Sequence, residues 1–465
     1  MPTLKLSELT EGVGGELLRG DPETQVNSYD IDTRKLSRGG AFFALKGERA
    51  DGHSFLAQAD KAGAAVAVVE HEPESGQPAP AALIRVDDMT AALGRCATWI
   101  RRKRDDVRWI GVTGSNGKTT TKEMIAAGMS ATTKVHRTPG NLNNHLGVPL
   151  TLLALPDDAE TAVIEMAMSG YGEIAELTRM ADPDIGMITN VRAVHMSAFT
   201  SLDDVASAKG ELFAVLREDA TAVVNLDDAQ VRLQSMRHVG PQVTFGQHPE
   251  AQIRLETIDN RYLPGATLVF VHEEKTHRVQ LRIGGAFAAQ DALAALAAIF
   301  ATGVDLGEAA ARIEQVEAGP GRGQVHRLNK DILLIDDTYN SNPPAVAAVL
   351  ETLRLSEPAG RRVLIFGDML ELGNMDAALH REAGRRTAAA GVQLLITVGP
   401  LSKEMAEAAR RDGVEQVRHH SDSKECAEAI RNYVRPGDLI VVKGSRALRM
   451  ERVVEALKAG LGGSN

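Results

Sequence analysis

The chain has 465 residues, of which 43% are hydrophobic, 25% charged and only 4% aromatic, and its formal net charge is −10. That length needs about three cores, built from Ala, Val, Leu and Ile, and the acidic balance excludes a basic nucleic-acid-binding stripe. Cys96 and Cys426 are too few and too far apart for a disulfide scaffold or a zinc site.

The opening Met-Pro-Thr-Leu-Lys-Leu has no apolar signal-peptide core, and no run of about 18 apolar residues occurs, so a cytoplasmic protein without membrane insertion is expected. Residues 1–85 read as short strands and loops, with a helical stretch near 55–61 and buried strands at 64–70 and 82–86. Pro73, Pro78 and Pro80 mark the stretch between those strands as a loop. A helix is expected over 89–102. The basic run Arg101, Arg102, Lys103 and Arg104 at its end reads as a solvated face, since no aromatic interleaving accompanies it.

Arg108-Trp-Ile-Gly-Val-Thr-Gly-Ser-Asn-Gly-Lys-Thr-Thr120 is the most informative stretch. An apolar strand runs into Gly114, Ser115, Asn116 and Gly117, and Lys118, Thr119 and Thr120 open a helical pattern. Backbone N–H groups of such a turn wrap phosphates, the lysine reaches between them, and a threonine hydroxyl can hold Mg²⁺. Gly111 stands one residue too far from Gly117 for the Walker spacing, yet nucleotide binding is the expectation.

Between 106 and 320, apolar strands at 109–113, 161–167, 185–191 and 221–225 alternate with helices such as 120–129 and 202–216. This is the rhythm of a parallel sheet covered on both faces. Residues 251–283 alternate polar and apolar, a short β excursion before an Ala-rich helix at 286–300. Working residues of such sheets collect beyond the carboxyl ends of strands. Glu165 falls there in an otherwise apolar strand; a buried carboxylate needs a cation, and Mg²⁺ beside Thr119 is favoured over a buried Arg or Lys. His195 follows the 185–191 strand, and Lys209 sits on a helix, where alone it reads as a surface charge.

After the hinge Gly319-Pro-Gly-Arg322-Gly323 the rhythm restarts, with strands at 331–336, 363–367, 394–398 and 438–442 forming a second doubly wound unit. Arg322 is placed to reach a phosphate or to make an interdomain salt bridge. Asp336-Asp337-Thr-Tyr-Asn340, residues 367–373 and Lys443-Gly-Ser445-Arg446 gather at strand ends, as a ligand-facing edge does.

Thr113-Gly-Ser-Asn-Gly-Lys-Thr-Thr120, followed in order by Glu165, Asn190, His195, Lys209 and Arg322, resembles the Mur ligase family, ATP-dependent amide-forming enzymes of bacterial cell-wall synthesis. Asp337-Thr-Tyr-Asn-Ser-Asn-Pro343, Gly367-Asp-Met-Leu-Glu-Leu-Gly373 and Lys443-Gly-Ser-Arg446 with Met450-Glu451 resemble the members that add D-alanyl-D-alanine to UDP-N-acetylmuramoyl-tripeptide. The Asp-Asn-Pro-Arg signature of the diaminopimelate- or lysine-adding siblings is absent. Asp32-Thr-Arg34, residues 41–44, Gly47 and Asp51-Gly-His53 are similar to the family's uridine-nucleotide-sugar domain, so the resemblance spans essentially the whole chain.

The resemblance implies a three-domain α/β architecture: a UDP-sugar-binding N-terminal domain over 1–85, a central P-loop ATPase-type parallel-sheet domain over 86–320, and a C-terminal Rossmann-like ligase domain over 321–465. It implies ATP held by residues 114–120 and Arg322, with the ribose near Asp336 or Asp337, between which it does not choose. One Mg²⁺ would lie on Thr119 and Glu165 and a second beside His195 and a carbamylated Lys209, so Lys118, His195, Lys209 and Arg322 form the catalytic set. Substrate contacts are implied for Thr33, Arg34, Asp51 and His53, and for Asn340, Asn342, Lys443, Ser445 and Arg446. In the implied reaction ATP phosphorylates the tripeptide carboxylate, and D-alanyl-D-alanine attacks the acyl phosphate. A tetrahedral species then collapses to the UDP-N-acetylmuramoyl-pentapeptide, ADP and phosphate. Domain closure about the hinge and a monomer are expected, and diaminopimelate or lysine as the third peptide residue stays open.

The family's usual Gly-x-His-Asn-x-x-Asn stands here as Gly285-Ala-Phe-Ala-Ala-Gln-Asp291, with Phe287, Ala288 and Asp291 at the altered positions, so adenine must be seated differently. Arg192 and Ser197 replace a common glycine and glutamate. Rival readings are a sibling or folate-polyglutamylating ligase, a small-molecule kinase, which would release ADP without an amine, and a nucleotide-gated binding module, which would turn over negligible ATP.

Overall fold

The computed structural model describes residues 1–464 apart from 48–49, 75, 195–197, 260–264, 286 and 330. Its first sheet runs Glu16–Arg19, Ala82–Arg85, Val66–Val69, Ala41–Phe43, Tyr29–Asp30, parallel except for the first pair. Ahead of it, where short strands and loops were expected, Leu6–Val13 is a helix. Leu6, Leu9 and Val13 are fully buried at helical spacing, and Glu8 accepts from the Lys5 N–H at 3.0 Å to satisfy the helix start.

Met89–Arg102 forms as expected, capped by Asp88, which accepts from the Ala91 N–H at 2.8 Å. Its buried Leu93, Cys96, Ala97 and Ile100 weld the core of the first sheet to one face of the central sheet in a single apolar cluster. Arg101 corrects the reading of the basic run, since it is only 4% exposed. Its Nε and Nη2 donate to the Ala181 and Asp182 carbonyls at 2.9 and 2.7 Å, closing the end of the helix Glu173–Ala181. Orphan carbonyls at a buried helix end need donors, and a long basic side chain supplies them.

The central sheet has nine strands, in the order Lys275–Gln280, Thr267–His272, Ile253–Asp259, Gln242–Gly246, Thr221–Asn225, Ile185–Ile188, Arg108–Thr113, Thr161–Glu165, Val135–Arg137. From Ile253–Asp259 onward all pairs are parallel, and the two strands before it pair antiparallel. The β excursion expected at 251–283 is therefore an extension of this sheet. On one face Lys118–Met129 packs against Ala288–Phe300, whose small Ala292 and Ala295 let the two helices approach. The chain leaves Arg108–Thr113, travels outward to Val135–Arg137, returns to Thr161–Glu165, and then crosses to Ile185–Ile188 on the other side. That reversal opens a crevice at the carboxyl ends of the central strands.

The third sheet runs Gln416–His420, Leu394–Val398, Arg362–Gly367, Leu439–Lys443, Ile332–Asp337, Gln324–Leu328, Gly463–Ser464. Its first five strands are parallel, and Gln324–Leu328 is antiparallel to both neighbours. Register places Lys443 beside Asp337 on one side and Phe366 on the other, so three adjacent strands open on one edge. Among the described residues no helix is long and apolar enough to cross a membrane.

Candidate active site

Gly117 caps the helix Lys118–Met129 at φ 82, and Gly114 turns the chain at φ 147. Both conformations are rare for residues with a Cβ, and a Cβ at either position would overlap Thr189 Oγ1 or the Asp291 carboxyl. The loop is braced by the residues after Ile185–Ile188. The Ser115 N–H donates to Asn190 O at 2.9 Å, the Asn116 N–H to Asn190 Oδ1 at 3.1 Å, and Thr189 Oγ1 to Asn116 O at 2.7 Å. The Thr189 N–H still donates to Thr113 O of the neighbouring strand at 2.9 Å, but the Thr189 hydroxyl and Asn190 turn to the loop, and regular pairing ends at Ile188, short of the expected 191.

Lys118 is turned onto this loop, its Nζ donating to Gly114 O at 2.8 Å and Ser115 O at 3.3 Å. Burial lowers its pKa, opposed by Glu165 and reinforced by Arg322. Glu165 is 1% exposed at the end of Thr161–Glu165. Its Oε1 accepts from Thr119 Oγ1 at 3.1 Å and from Asn143 Nδ2 at 2.8 Å. Its Oε2 accepts no hydrogen bond and lies 3.5 Å from Lys122 Nζ. Lys122 is fully buried and donates to Thr138 O at 2.7 Å and Gly140 O at 3.2 Å. Sequence reasoning passed over this lysine, although it lies one turn after Lys118 on the same helix face. A buried carboxylate oxygen with free lone pairs, next to a threonine hydroxyl, is a donor set that fits a hard divalent cation.

Lys209 is not the surface charge its helix suggested. On Leu202–Val215 it is 2% exposed, with no hydrogen bond or ion pair among the described residues. Burial, with the Lys118 charge nearby, drives its pKa well below the ordinary lysine value. His195 and Ser197 lie outside the described residues.

A cavity of about 720 Å³ separates the central and third units, lined among others by Lys118, Glu165, Arg322, Asp337, Lys443 and Arg446. The Arg322 guanidinium stacks over the Tyr339 ring at 3.7 Å. Of the two candidate aspartates, Asp337 lines the cavity and bonds Lys443 Nζ at 2.8 Å, whereas Asp336 accepts from Thr338 Oγ1 at 2.6 Å. Burial raises the Asp337 pKa against the pull of Lys443. Lys443 Nζ also donates to Asn340 O at 2.9 Å. The Ser445 N–H donates to Asp368 O at 3.0 Å, and its Oγ accepts from the Leu370 N–H at 2.9 Å, which fastens residues 367–373 to 443–446. Asn342 caps the helix Pro343–Leu355 and reaches across the cavity, its Nδ2 donating to Asn116 Oδ1 at 2.9 Å. Phe287, Ala288 and Asp291 line the same space.

The candidates in the first unit are not brought to this cavity. Arg34 pairs with Asp32 at 2.7 Å beside Thr33. Asp51 accepts from the His53 N–H at 2.9 Å and from His53 Nδ1 at 2.8 Å, while His53 Nε2 accepts from the Glu70 N–H at 3.0 Å. Asp51, His53 and His71 bring potential ligand atoms within 4.8 Å of one another. With one His53 nitrogen donating and the other accepting, that ring has no lone pair left for a metal.

Known families match this chain along most of its length. "Mur ligase family, catalytic domain" matches residues 25–99, "Mur ligase middle domain" 112–299, and "Mur ligase, glutamate ligase domain" 321–446. The UDP-N-acetylmuramoyl-tripeptide–D-alanyl-D-alanine ligase of Bacillus subtilis (strain 168) is 34% identical over 454 residues, 97% of this chain and 98% of that protein. The ligase of the same name from Escherichia coli (strain K12) is 35% identical over 463 residues, 98% and 99% of the two. A crystal structure of MurF from Acinetobacter baumannii matches at a TM-score of 0.89 and 29% identity, covering 99% of each chain.

Proposed function

The chain belongs to the Mur ligase family, and on that premise we propose that it joins D-alanyl-D-alanine to the terminal carboxylate of UDP-N-acetylmuramoyl-tripeptide at the expense of ATP. It is an ATP-dependent carboxylate–amine ligase of peptidoglycan precursor synthesis, and it works as a monomer in the cytoplasm, where its nucleotide substrates are made. The supporting observation is one cavity with a phosphate loop on one wall and the Lys443–Arg446 strand end on the other. In this reading residues 1–85 hold the uridine nucleotide through Thr33, Arg34, Asp51 and His53. Residues 86–320 hold ATP, and residues 321–465 present D-alanyl-D-alanine through Asn340, Asn342, Lys443, Ser445 and Arg446.

Bound Mg²⁺ and ATP supply charge neutralisation and the phosphoryl group that converts a carboxylate into an acyl phosphate. The chain's own residues do the placing. Thr119 and Glu165 hold the cation, and Lys118 with Arg322 offsets the repulsion between carboxylate and phosphate. In this reading Asp337, the one of the two aspartates that lines the cavity, meets the ribose, and residues 367–373 and 443–446 aim the attacking amine. Walls on both sides keep water from the activated carbonyl. Amine attack then gives a tetrahedral species whose collapse expels phosphate. With enzyme, Mg-ATP and the UDP-muramoyl tripeptide, phosphate release is expected to require D-alanyl-D-alanine and to yield a pentapeptide product by mass. ADP formed without the dipeptide would replace this reading with a kinase, and negligible turnover would replace it with a binding module.

Lys209 is the natural site of carbamylation. A buried, unpaired amine kept neutral adds CO₂ with loss of a proton, and the carbamate oxygens, with His195, would hold a second Mg²⁺. Enzyme equilibrated with ¹³C-bicarbonate is expected to show a carbamate carbon resonance that Lys209→Ala lacks; a spectrum without it in the native enzyme discards the assignment.

A further inference from the structure

Asp291 stands where the family pattern has asparagine, and the structure gives its side chain no partner. The residue is 7% exposed, lines the cavity, and packs on Gly117 so closely that a Cβ there would overlap its carboxyl. No hydrogen bond or ion pair reaches that carboxyl among the described residues. Its own helix, Ala288–Phe300, carries no other charged side chain. From the hinge, the Arg322 charge acts on it without bonding it. On the facing helix Lys118 is turned to Gly114 O and Lys122 to Thr138 O. An ionised carboxylate in that position would face the phosphates across the loop with no cation bonded to it, in a largely buried site where like charges repel more strongly than in water. Burial already pushes the Asp291 pKa up to about 7, against the pull of Arg322.

We propose that Asp291 is a nucleotide-binding residue that works as the neutral acid, so that each nucleotide bound takes up one proton at its carboxyl. The proton comes from solvent on binding and returns to it on product release. A neutral carboxyl keeps an O–H donor, as the asparagine of the family pattern keeps N–H donors, whereas the carboxylate only accepts. The proposal rests on reading this cavity as the nucleotide site. The sign follows from linkage. Phosphates raise the Asp291 pKa further, so affinity is complete below about pH 7 and weakens above it, at most about tenfold per pH unit, until the bound-state value is passed. Lys118 and Lys209, both with lowered pKa values, lose charge in the same direction as pH rises. Asp291→Asn leaves them in place and isolates the carboxyl.

Calorimetric titration of ADP into the full-length enzyme near pH 8, in two buffers of different ionisation enthalpy, counts the proton. Native enzyme is expected to take up about one proton and Asp291→Asn clearly less, with a correspondingly shallower fall of ADP affinity with pH. Zero uptake by the native enzyme, or equal uptake by both, overturns the proposal. Should the variant fail to fold, infrared difference spectra of the native enzyme decide. A carboxylic-acid carbonyl band gained on ADP binding supports the role of Asp291, and its absence overturns it. ADP that binds at no pH overturns the nucleotide site itself, a result distinct from binding without proton uptake.

Discussion

Lys118→Ala is expected to lower kcat/KM by about 10³-fold, the scale set by removing a preorganised charge from a transition state, while the chain still folds. Lys118 is half-buried, its two bonds go to loop carbonyls at 2.8 and 3.3 Å, and desolvation works against its charge. Removing a cation that desolvation and the nearby Arg322 charge already disfavour costs little stability, so the thermal midpoint should move by only a few degrees. The loss belongs to the step in which negative charge moves between phosphate and carboxylate. Lys118→Arg should rescue little, because a planar fork cannot replace a compact ammonium between two carbonyls. Near-native turnover by the alanine variant would remove the lysine, and the loop with it, from the chemistry.

Lys443→Met is expected to damage the third unit itself. Lys443 is 3% exposed and holds both Asp337 Oδ2 at 2.8 Å and Asn340 O at 2.9 Å. Without it Asp337 keeps its enclosed carboxyl and loses its cation, which costs about 3 kcal/mol, at the lower end for a broken buried pair because Asp337 is still 24% open to the cavity. The pH dependence has a definite sign. The folded-state pKa of Asp337, already raised by burial, rises further in the variant, so the unfolded carboxyl ionises first and the penalty grows with pH through that window. Urea denaturation should show a smaller loss at pH 5 than at pH 8. The double change Lys443→Met with Asp337→Asn should recover most of it. A single variant as stable as the native chain at both pH values would contradict the pairing.

Strand interiors and phosphate chemistry were legible because they depend on local pattern. Leu394–Val398 and Met89–Arg102 fall on the expected residues, the first as a buried apolar run, the second as an amphipathic stretch behind Asp88. Leu6–Val13 was equally legible from the spacing of Leu6, Leu9 and Val13 and was obscured by the short strands around it. Other features depended on distant partners. Nothing near Arg101 in sequence says that the carbonyls of Ala181 and Asp182 need its donors. Lys209 looks like any helix lysine until the packing around Leu202–Val215 closes over it; only the small neighbours Ala206, Ala208 and Gly210 hinted at that. Sequence left Asp336 and Asp337 equal, and strand alternation separates them, since consecutive side chains point to opposite faces.

Asn342 gives the molecule a detent rather than a lock. Its Oδ1 is committed to the Ala345 N–H at 3.0 Å, which leaves Nδ2 aimed at Asn116 with almost no rotamer freedom left to lose. A neutral bond of this kind is worth only about 1 kcal/mol net, far less than a ligand contributes. A contact of that strength sets the angle of the third unit against the loop of residues 114–117 without fixing it. Its position is indexed by a side chain whose own helix holds the pointer still.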